Sequence, residues 1–519
     1  MQQSINKVVI VGGGTAGWLT AGVLAARYQS NQDGVEVTLI ESPDVATIGV
    51  GEGTWPSMRS TLQAIGVSEA EFFQQCDASF KQGSCFRGWR DGSNETYYHP
   101  FSLPQGYSEL NLAPFWQAQS EQINFADAVS QQSRVCELGL APKQVGTPEF
   151  AFIQNYGYHL DAGKFATFLA RHCTKQLGVK HIQDHVVDVI ADEDDYIQQI
   201  RTQTHGDIGG DLFVDCTGFN AMLIGQHYQI PTNSIRGVLF NDRALAVQVP
   251  YQSSDAPIAS ATQATAHQAG WIWDIGLPSR RGIGAVYASD FMSDAEAEAS
   301  LMTYLNSFVD DDARKQLKPR QIKFEPTHRT KFWHKNCVAI GLSGGFVEPL
   351  EASALVMVEF AAKMVADQLP ANRDVMTVTA KQFNQKFLYR WDRIVEFLKL
   401  HYVLSQRQNS EYWRAHRQTE TIPEALQESL RLWRHQAPWH LDTPYIDELF
   451  PAASYQYILY GMGFETAVDT RSTRHHASNQ VLAQRLFSEN AKRTQQLTSG
   501  LPDNRSLIRH ITQSVGTVN

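Results

Sequence analysis

The feature that most constrains this chain stands at its amino end. Residues 7–28 read KVVIVGGGTAGWLTAGVLAARY and residues 35–42 read VEVTLIES. A short apolar strand, a glycine cluster, a helical run and a second apolar strand spell a βαβ unit. Within it Gly12-x-Gly14-x-x-Gly17 has a role for each glycine. Gly12 permits the tight turn, Gly14 lets the backbone approach a pyrophosphate, and Gly17 lets helix and strand pack closely. The free N–H groups of the helix start receive the phosphates. Glu41 closes the second strand, 29 positions after Gly12, and is the natural acceptor for ribose hydroxyls. The same stretch holds a decoy, because Val8 to Ala26 runs 19 residues without a charge. Its clustered glycines would weaken a membrane-spanning helix or a signal segment, so strand, turn and helix is the better reading.

Composition narrows the remaining choices. A chain of 519 residues suits two or three structural units, and 43% hydrophobic with 19% charged residues is a soluble globular profile. A net charge of −10 argues against nucleic acid as the main partner. No membrane partner is expected either. The 11 tryptophans suit either an enzyme for a flat aromatic substrate or a large aromatic core. Six cysteines stand singly at 76, 85, 136, 173, 216 and 337, with no C-x-x-C pair, so neither a metal site nor a disulfide framework is expected. With no secretory signal visible, a reducing cytoplasm is the default.

Later segments return to the nucleotide theme. DLFVDCTGFNAMLIG (211–225) and CVAIGLSGGF (337–346) are apolar strands that end in glycine turns. Strands that come back to one site from three distant parts of a chain resemble FAD proteins of the glutathione-reductase or hydroxybenzoate-hydroxylase kind. The expected fold class is therefore α/β (α+β), with a Rossmann-type FAD-binding fold. No second complete G-x-G-x-x-G is present, so the electrons come from elsewhere. Residues 158–173 read as a helix, 185–216 as strand, hairpin and strand, and 235–290 and 320–330 as sheet. From about 351 the pattern turns helical. The expected organisation is an FAD module over 1–380, interleaved with substrate-region segments at about 80–155 and 230–330, and a mostly helical cap over 381–519. The polar last twenty residues are expected to be loosely held.

Eight segments together resemble the flavin-dependent tryptophan halogenases along most of the chain. They are VGGGTAGW (11–18), IGVGEGTWPS (48–57), DASFKQGSCFRGW (77–89), YYHPF (97–101), YHLDAGKFATFL (158–169), VDCTGF (214–219), GWIWDI (270–275) and GLSGGFVEPLEAS (341–353). The resemblance implies a reaction in which reduced FAD (FADH2), oxygen and halide give hypohalous acid, and a buried lysine delivers electrophilic halogen to an aromatic carbon. Lys81 matches that lysine, and Glu351 the glutamate that assists it. Two backbone amides after the glutamate hold halide in the family, which here are those of Ser353 and Ala354. His99, Pro100 and Phe101 match the substrate-contacting segment. Trp271 and Trp273, two apart on a strand, face one side and match the pair that walls flavin from substrate; core packing is the alternative. Carried over to FAD are Gly12, Gly14, Thr15, Ala16, Gly17, Glu41, Val50, Gly51, Glu52, Val186, Leu342 and Leu355. Glu348, before Pro349, reads as structural.

Two departures stand out. Ala352-Ser353-Ala354 replaces the family's Ser-Thr-Gly, and Gly276 stands where its tryptophan motif ends in proline. The residues that grip the backbone of free tryptophan are not matched, so simpler indoles and other electron-rich aromatics remain open. The implied partners are an aromatic small molecule and a separate flavin reductase. Chloride and bromide, and monomer and homodimer, stay open. The nearest rival reading is a flavin-dependent aromatic hydroxylase, which has no use for Lys81. A rival from another class is a non-catalytic flavin-binding protein.

Overall fold

The first strand forms where its apolar run places it. In the computed structural model, which describes residues 4–28, 34–45, 51–443, 445, 448–467 and 476–515, Lys7–Val11 lies between Leu212–Asp215 and Glu36–Glu41, all parallel. The six-stranded sheet runs Trp333–His334, Cys337–Ala339, Leu212–Asp215, Lys7–Val11, Glu36–Glu41, Lys180–Gln183. Only its edge strand Trp333–His334 is antiparallel. A central parallel strand is covered on both faces, which is why Val8–Val11 is apolar without alternation. Register aligns the strand ends: Val11 pairs with Asp215, and Asp215 with Ala339. The order changes direction beside the first strand, and that point of an open α/β sheet is where ligands bind. The α/β fold with a Rossmann-type nucleotide module is thus the one observed.

The chain divides into two compact units. One consists of Met1–Ala78, Leu160–Ile235 and Glu325–Asp392; the other of Ser79–His159, Arg236–Phe324 and Arg393–Asn519. The first unit carries the parallel sheet with helices Thr15–Tyr28, Ala162–Lys175 and Ser353–Asp367. An antiparallel meander, Val186–Ala191, Ile197–Thr202 and Gly206–Gly209, also belongs to it. Val9, Ile40, Phe213, Leu223 and Ile224 form a buried cluster against which Val186 packs.

The second unit is built on a seven-stranded sheet in the order Arg320–Lys323, Arg243–Pro250, Arg280–Tyr287, Gly270–Gly276, Thr262–His267, Gly83–Arg87, Thr96–Pro100. Helices Glu424–Trp433, Ala452–Gly461, His476–Gly500 and Asn504–Val515 belong to it. Trp271 and Trp273 share one face, with ring centroids 6.4 Å apart.

Two expectations need correction. Residues 157–161 are a strand, not the start of a helix, and the helix begins at Ala162. The aromatic Tyr158 and the neighbouring His159 pair with Phe80 and Ser79, and Asp161 caps the helix by accepting from the Lys164 N–H at 3.0 Å. The tail is also not loose over 504–515, which form a helix with Leu507 and Ile508 buried. Hydrogen bonds to backbone pin it: the Ala141 N–H donates to the Pro502 carbonyl, and Arg505 donates to the carbonyls of Ala256 and Pro278. A polar segment held in this way is ordered without being apolar, so its composition alone misleads.

Candidate active site

In the first unit the glycine turn is packed to its limit at two points and open at a third. Gly12 has φ +116°, and a Cβ there would lie 2.2 Å from the Cys216 carbonyl oxygen. A Cβ at Gly17 would lie 1.9 Å from the Gly12 carbonyl oxygen, so the helix starting at Thr15 is seated directly on the turn. At Gly14 nothing lies within 4 Å of a Cβ position. That open spot, beside the first N–H groups of a helix, fits a pyrophosphate. The Gly341–Ser343 turn, which carries Leu342, closes on the same place: a Cβ at Gly341 (φ +79°) would meet the Ala16 Cβ at 2.8 Å. Ser343 fastens this turn to the Asp215 carbonyl at 2.5 Å.

Glu41 ends its strand with one carboxylate oxygen 2.7 Å from the His181 ring nitrogen. The other accepts from the Trp18 indole N–H at 3.4 Å. Its carboxylate lies over Gly13, where a Cβ would come within 1.6 Å of it. Gly13 and His181 thus pack on the Glu41 carboxylate, contacts the motif does not announce because G-x-G-x-x-G treats residue 13 as free. The residues present fit an FAD adenosine and pyrophosphate.

Further along, Gly51–Gly53 form a short strand. Burial, and then the Asp161 carboxylate, push Glu52 up to about 7. Val50 lies outside the described residues.

The Pro349–Ala354 segment is strained. Glu351 has φ 63°, ψ 7° and Ala352 has φ 55°, ψ 45°, two successive non-glycine residues in the left-handed region. Each costs about 1–3 kcal/mol and persists only where its surroundings fix it. The Glu351 carbonyl accepts from the Trp55 indole N–H at 2.8 Å, and the Ala352 N–H donates to the Pro349 carbonyl at 2.9 Å. Ser353 then opens the 15-residue helix to Asp367, with Ser353 and Leu355 buried and Ala354 exposed. First-turn amides lack intrahelical acceptors, and successive N–H groups in such a turn make an anion-binding concavity. Glu359, further along this helix, is buried. It accepts from Ser57 Oγ at 3.0 Å and Thr61 Oγ1 at 2.5 Å, and burial pushes it up to about 7.

In the second unit Lys81 is 1% exposed, at the end of the strand Ser79–Lys81. Its ammonium lies 5.3 Å from the centre of the Phe101 ring. The ladder explains the approach: Gly83 pairs with Pro100, and the Phe101 N–H donates to the Gln82 carbonyl at 3.0 Å. His99, on the same strand as Pro100, is buried with its ring 5.7 Å from Phe397. Lys81, His99, Pro100 and Phe101 are therefore neighbours.

His159 lies on the same face of its ladder as Lys81, since Ser79 pairs with His159 and Lys81 with Gly157. Burial, and then the Lys81 charge, hold it well below the usual imidazole range. One ring nitrogen is 2.8 Å from Thr262 Oγ1. Trp271 and Trp273 are buried at 2% and 7% exposure. Trp271 packs against Trp89 with centroids 6.3 Å apart, and a Cβ at Gly284 would lie 2.2 Å from the Trp273 ring.

The second unit thus sets the buried Lys81 ammonium against an aromatic face, and the first opens the Ser353–Asp367 helix from a left-handed turn. The tryptophan halogenase family model matches residues 7–478. The chain belongs to the tryptophan halogenase family.

It is a flavin-dependent aromatic halogenase, and its similarity to named members extends over most of its length. Tryptophan 6-halogenase SttH of Streptomyces toxytricini is 35% identical, over 88% of this chain and 89% of that protein. The 7-chloro-L-tryptophan 6-halogenase KtzR of Kutzneria is 34% identical, over 95% and 97%. Among solved structures, a tryptophan halogenase from Shewanella frigidimarina is 51% identical, with a TM-score of 0.95, covering 99% of this halogenase and 98% of that chain. No helix among the described residues is long and apolar enough to cross a membrane. Nor do the described residues hold a cluster of metal-ligating side chains.

Proposed function

We propose that this halogenase installs chloride or bromide on an indole, with Lys81 as the residue that delivers the halogen. The observation that carries the reading is the buried Lys81 ammonium facing Phe101 at 5.3 Å. A hydroxylase needs no such cation.

Reduced FAD, when bound, supplies with oxygen the oxidising equivalent that converts halide to hypohalous acid. The balance is FADH2 + O2 + X⁻ + H⁺ → FAD + HOX + H2O, followed by ArH + HOX → ArX + H2O. Gly12, Gly14, Gly17 and the amides of Thr15 and Ala16 would hold the FAD pyrophosphate, and Glu41 its ribose. Gly51, Glu52, Leu342 and Leu355, with Val50 and Val186, would hold the flavin. The Ser353 and Ala354 amides hold halide through N–H donors, which survive the change from the family's Ser-Thr-Gly. Lys81 donates a hydrogen bond to the oxygen of hypohalous acid and stabilises the hydroxide that leaves as the ring carbon takes the halogen. Glu351 accepts the ring proton. Phe101 offers an aromatic face to the substrate and His99 orients it. Trp271 and Trp273 wall the substrate off.

The substrate class follows from relatives named for tryptophan, together with the unmatched grip on its amino-acid backbone. The reductase is a separate protein. The test supplies the enzyme, FAD, a generic reductase and NADH with a panel of indoles, tryptophan included, in chloride and in bromide. Mass spectrometry should show halogen isotope patterns with the native enzyme and none with Lys81→Ala, while FAD still binds to the variant. Halogenated product from Lys81→Ala would sink the proposal. Oxygenated products free of halogen would favour the hydroxylase.

A further inference from the structure

The left-handed turn at Glu351–Ala352 is held by Trp55, a residue of the 48–57 segment that has no assigned role in the chemistry. We infer that Trp55 is a positioning residue for the halide cradle: its indole N–H fixes the Glu351 carbonyl, and through it the turn that aims the Ser353 and Ala354 amides. This rests on the reading of those two amides as the halide site.

The peptide between Glu351 and Ala352 is held at both ends. Its carbonyl accepts from Trp55 Nε1 at 2.8 Å, and its N–H donates to the Pro349 carbonyl at 2.9 Å. A flip of this peptide would release Ala352 from φ 55° but would carry Glu351, at φ 63°, from ψ 7° to an extended ψ, a region open essentially to glycine alone. The same flip would break both hydrogen bonds. The turn as observed keeps two successive residues in the left-handed region, at about 1–3 kcal/mol each, and each of the two hydrogen bonds, worth about 0.5–1.5 kcal/mol net, offsets part of that strain. The Pro349 bond is local to the turn and moves with it. The Trp55 bond spans 296 positions of sequence and ties the turn to a fixed point.

That point is firmly held. Trp55 leads through Pro56 into the helix Ser57–Ala64. Ser57 and Thr61 on that helix both donate to Glu359, on the helix that Ser353 opens. The cradle's helix is thus fastened to the Trp55 segment along its body, and Trp55 fastens the turn at its mouth. An indole whose only work was packing would not need its N–H directed at the carbonyl of a strained peptide.

The full-length enzyme with FAD and reductase tests this. Trp55 is replaced by Phe and, by site-specific incorporation, with 3-benzothienylalanine, which keeps the bicyclic shape and drops the N–H. The KM for bromide should rise about five- to tenfold in both, the loss expected for one hydrogen bond. The kcat at saturating bromide should fall far less, and FAD affinity by fluorescence titration should hold. Adding Ala352→Gly to Trp55→Phe should bring the KM back down, because glycine bears no left-handed cost. An unchanged bromide KM in both replacements overturns the assignment, as does a rise that Ala352→Gly does not reduce. Anomalous scattering from bromide-soaked crystals of the native enzyme separates the two layers. Bromide away from the 353 and 354 amides brings down the cradle reading, and this inference with it. Bromide at those amides with an unmoved KM in the variants brings down only the role of Trp55.

Discussion

Glu359 makes a sharp prediction about how stability depends on pH. It is 1% exposed on the Ser353–Asp367 helix, and burial raises it from 4.5 to about 7 against smaller opposing effects of Lys363, Thr61 and Ser57. Its folded pKa lies above its unfolded one. The stability it contributes is therefore fully present below about 4.5 and is lost as pH rises through about 7. The difference, at about 1.4 kcal/mol per pK unit, sets a ceiling of about 3 kcal/mol. Glu359→Gln removes the titration but keeps an oxygen that can accept from Ser57 and Thr61. Thermal unfolding of native and variant proteins should nearly coincide at about pH 4.5–5 and diverge upward. By about pH 8 the variant should melt higher by up to roughly 6–12 °C, the shift expected for about 3 kcal/mol in a unit of this size. Parallel curves across the range would refute the reasoning. So would a variant that is less stable at high pH, since it would show that the ionised carboxylate is the preferred partner of the two hydroxyls.

Other expectations follow from particular contacts. Gly13→Ala places a methyl 1.6 Å from the Glu41 carboxylate oxygen. It should weaken FAD binding by tenfold or more, on the order of 1.4 kcal/mol, while circular dichroism stays native-like. Gly284→Ala drives a Cβ against the Trp273 ring and should cost about 1–3 kcal/mol in chemical denaturation. Truncation after Asp503 removes the buried Leu507 and Ile508 and the Arg505 hydrogen bonds, so melting temperature or soluble yield should fall clearly. A truncated protein as stable as the full chain would restore the loose-tail expectation.

The readable parts of the sequence were those where one residue type answers one local need. Gly12, Gly14 and Gly17 are required by a turn, an open approach and a close packing, and each need can be stated before any coordinates exist. The apolar strands 7–11, 212–215 and 337–339 could be recognised as buried and as returning to one site, though not in the order in which they pair. Lys81 and Phe101 were legible only through resemblance, since a lone lysine carries no signal of burial. Residues 157–161 misled because YHLDAGKF offers apolar positions compatible with either period, and only the pairing of Ser79–Lys81 with Gly157–His159 decides for a strand. Gly13 was hidden by the motif itself. Its requirement comes from Glu41, 28 positions away, and not from the local backbone.

The turn at Glu351–Ala352 shows the limit most plainly. Sequence placed an acid before a helix, which by composition alone is an ordinary first-turn residue favoured by the helix dipole. It could not show that Glu351 and Ala352 both lie in the left-handed region, because neither residue prefers it. A glycine at 352 would have announced the conformation and also loosened it. An alanine held there by Trp55 from one side and Pro349 from the other defines the peptide orientation more tightly, at the cost of strain. Small residues at 352–354 leave the helix start open to an anion, but they do not themselves keep its amides aimed. That aim is supplied by a tryptophan in a different part of the chain, so halide affinity should respond to Trp55 although its indole N–H bonds to the Glu351 carbonyl rather than to either of the amides it is expected to govern.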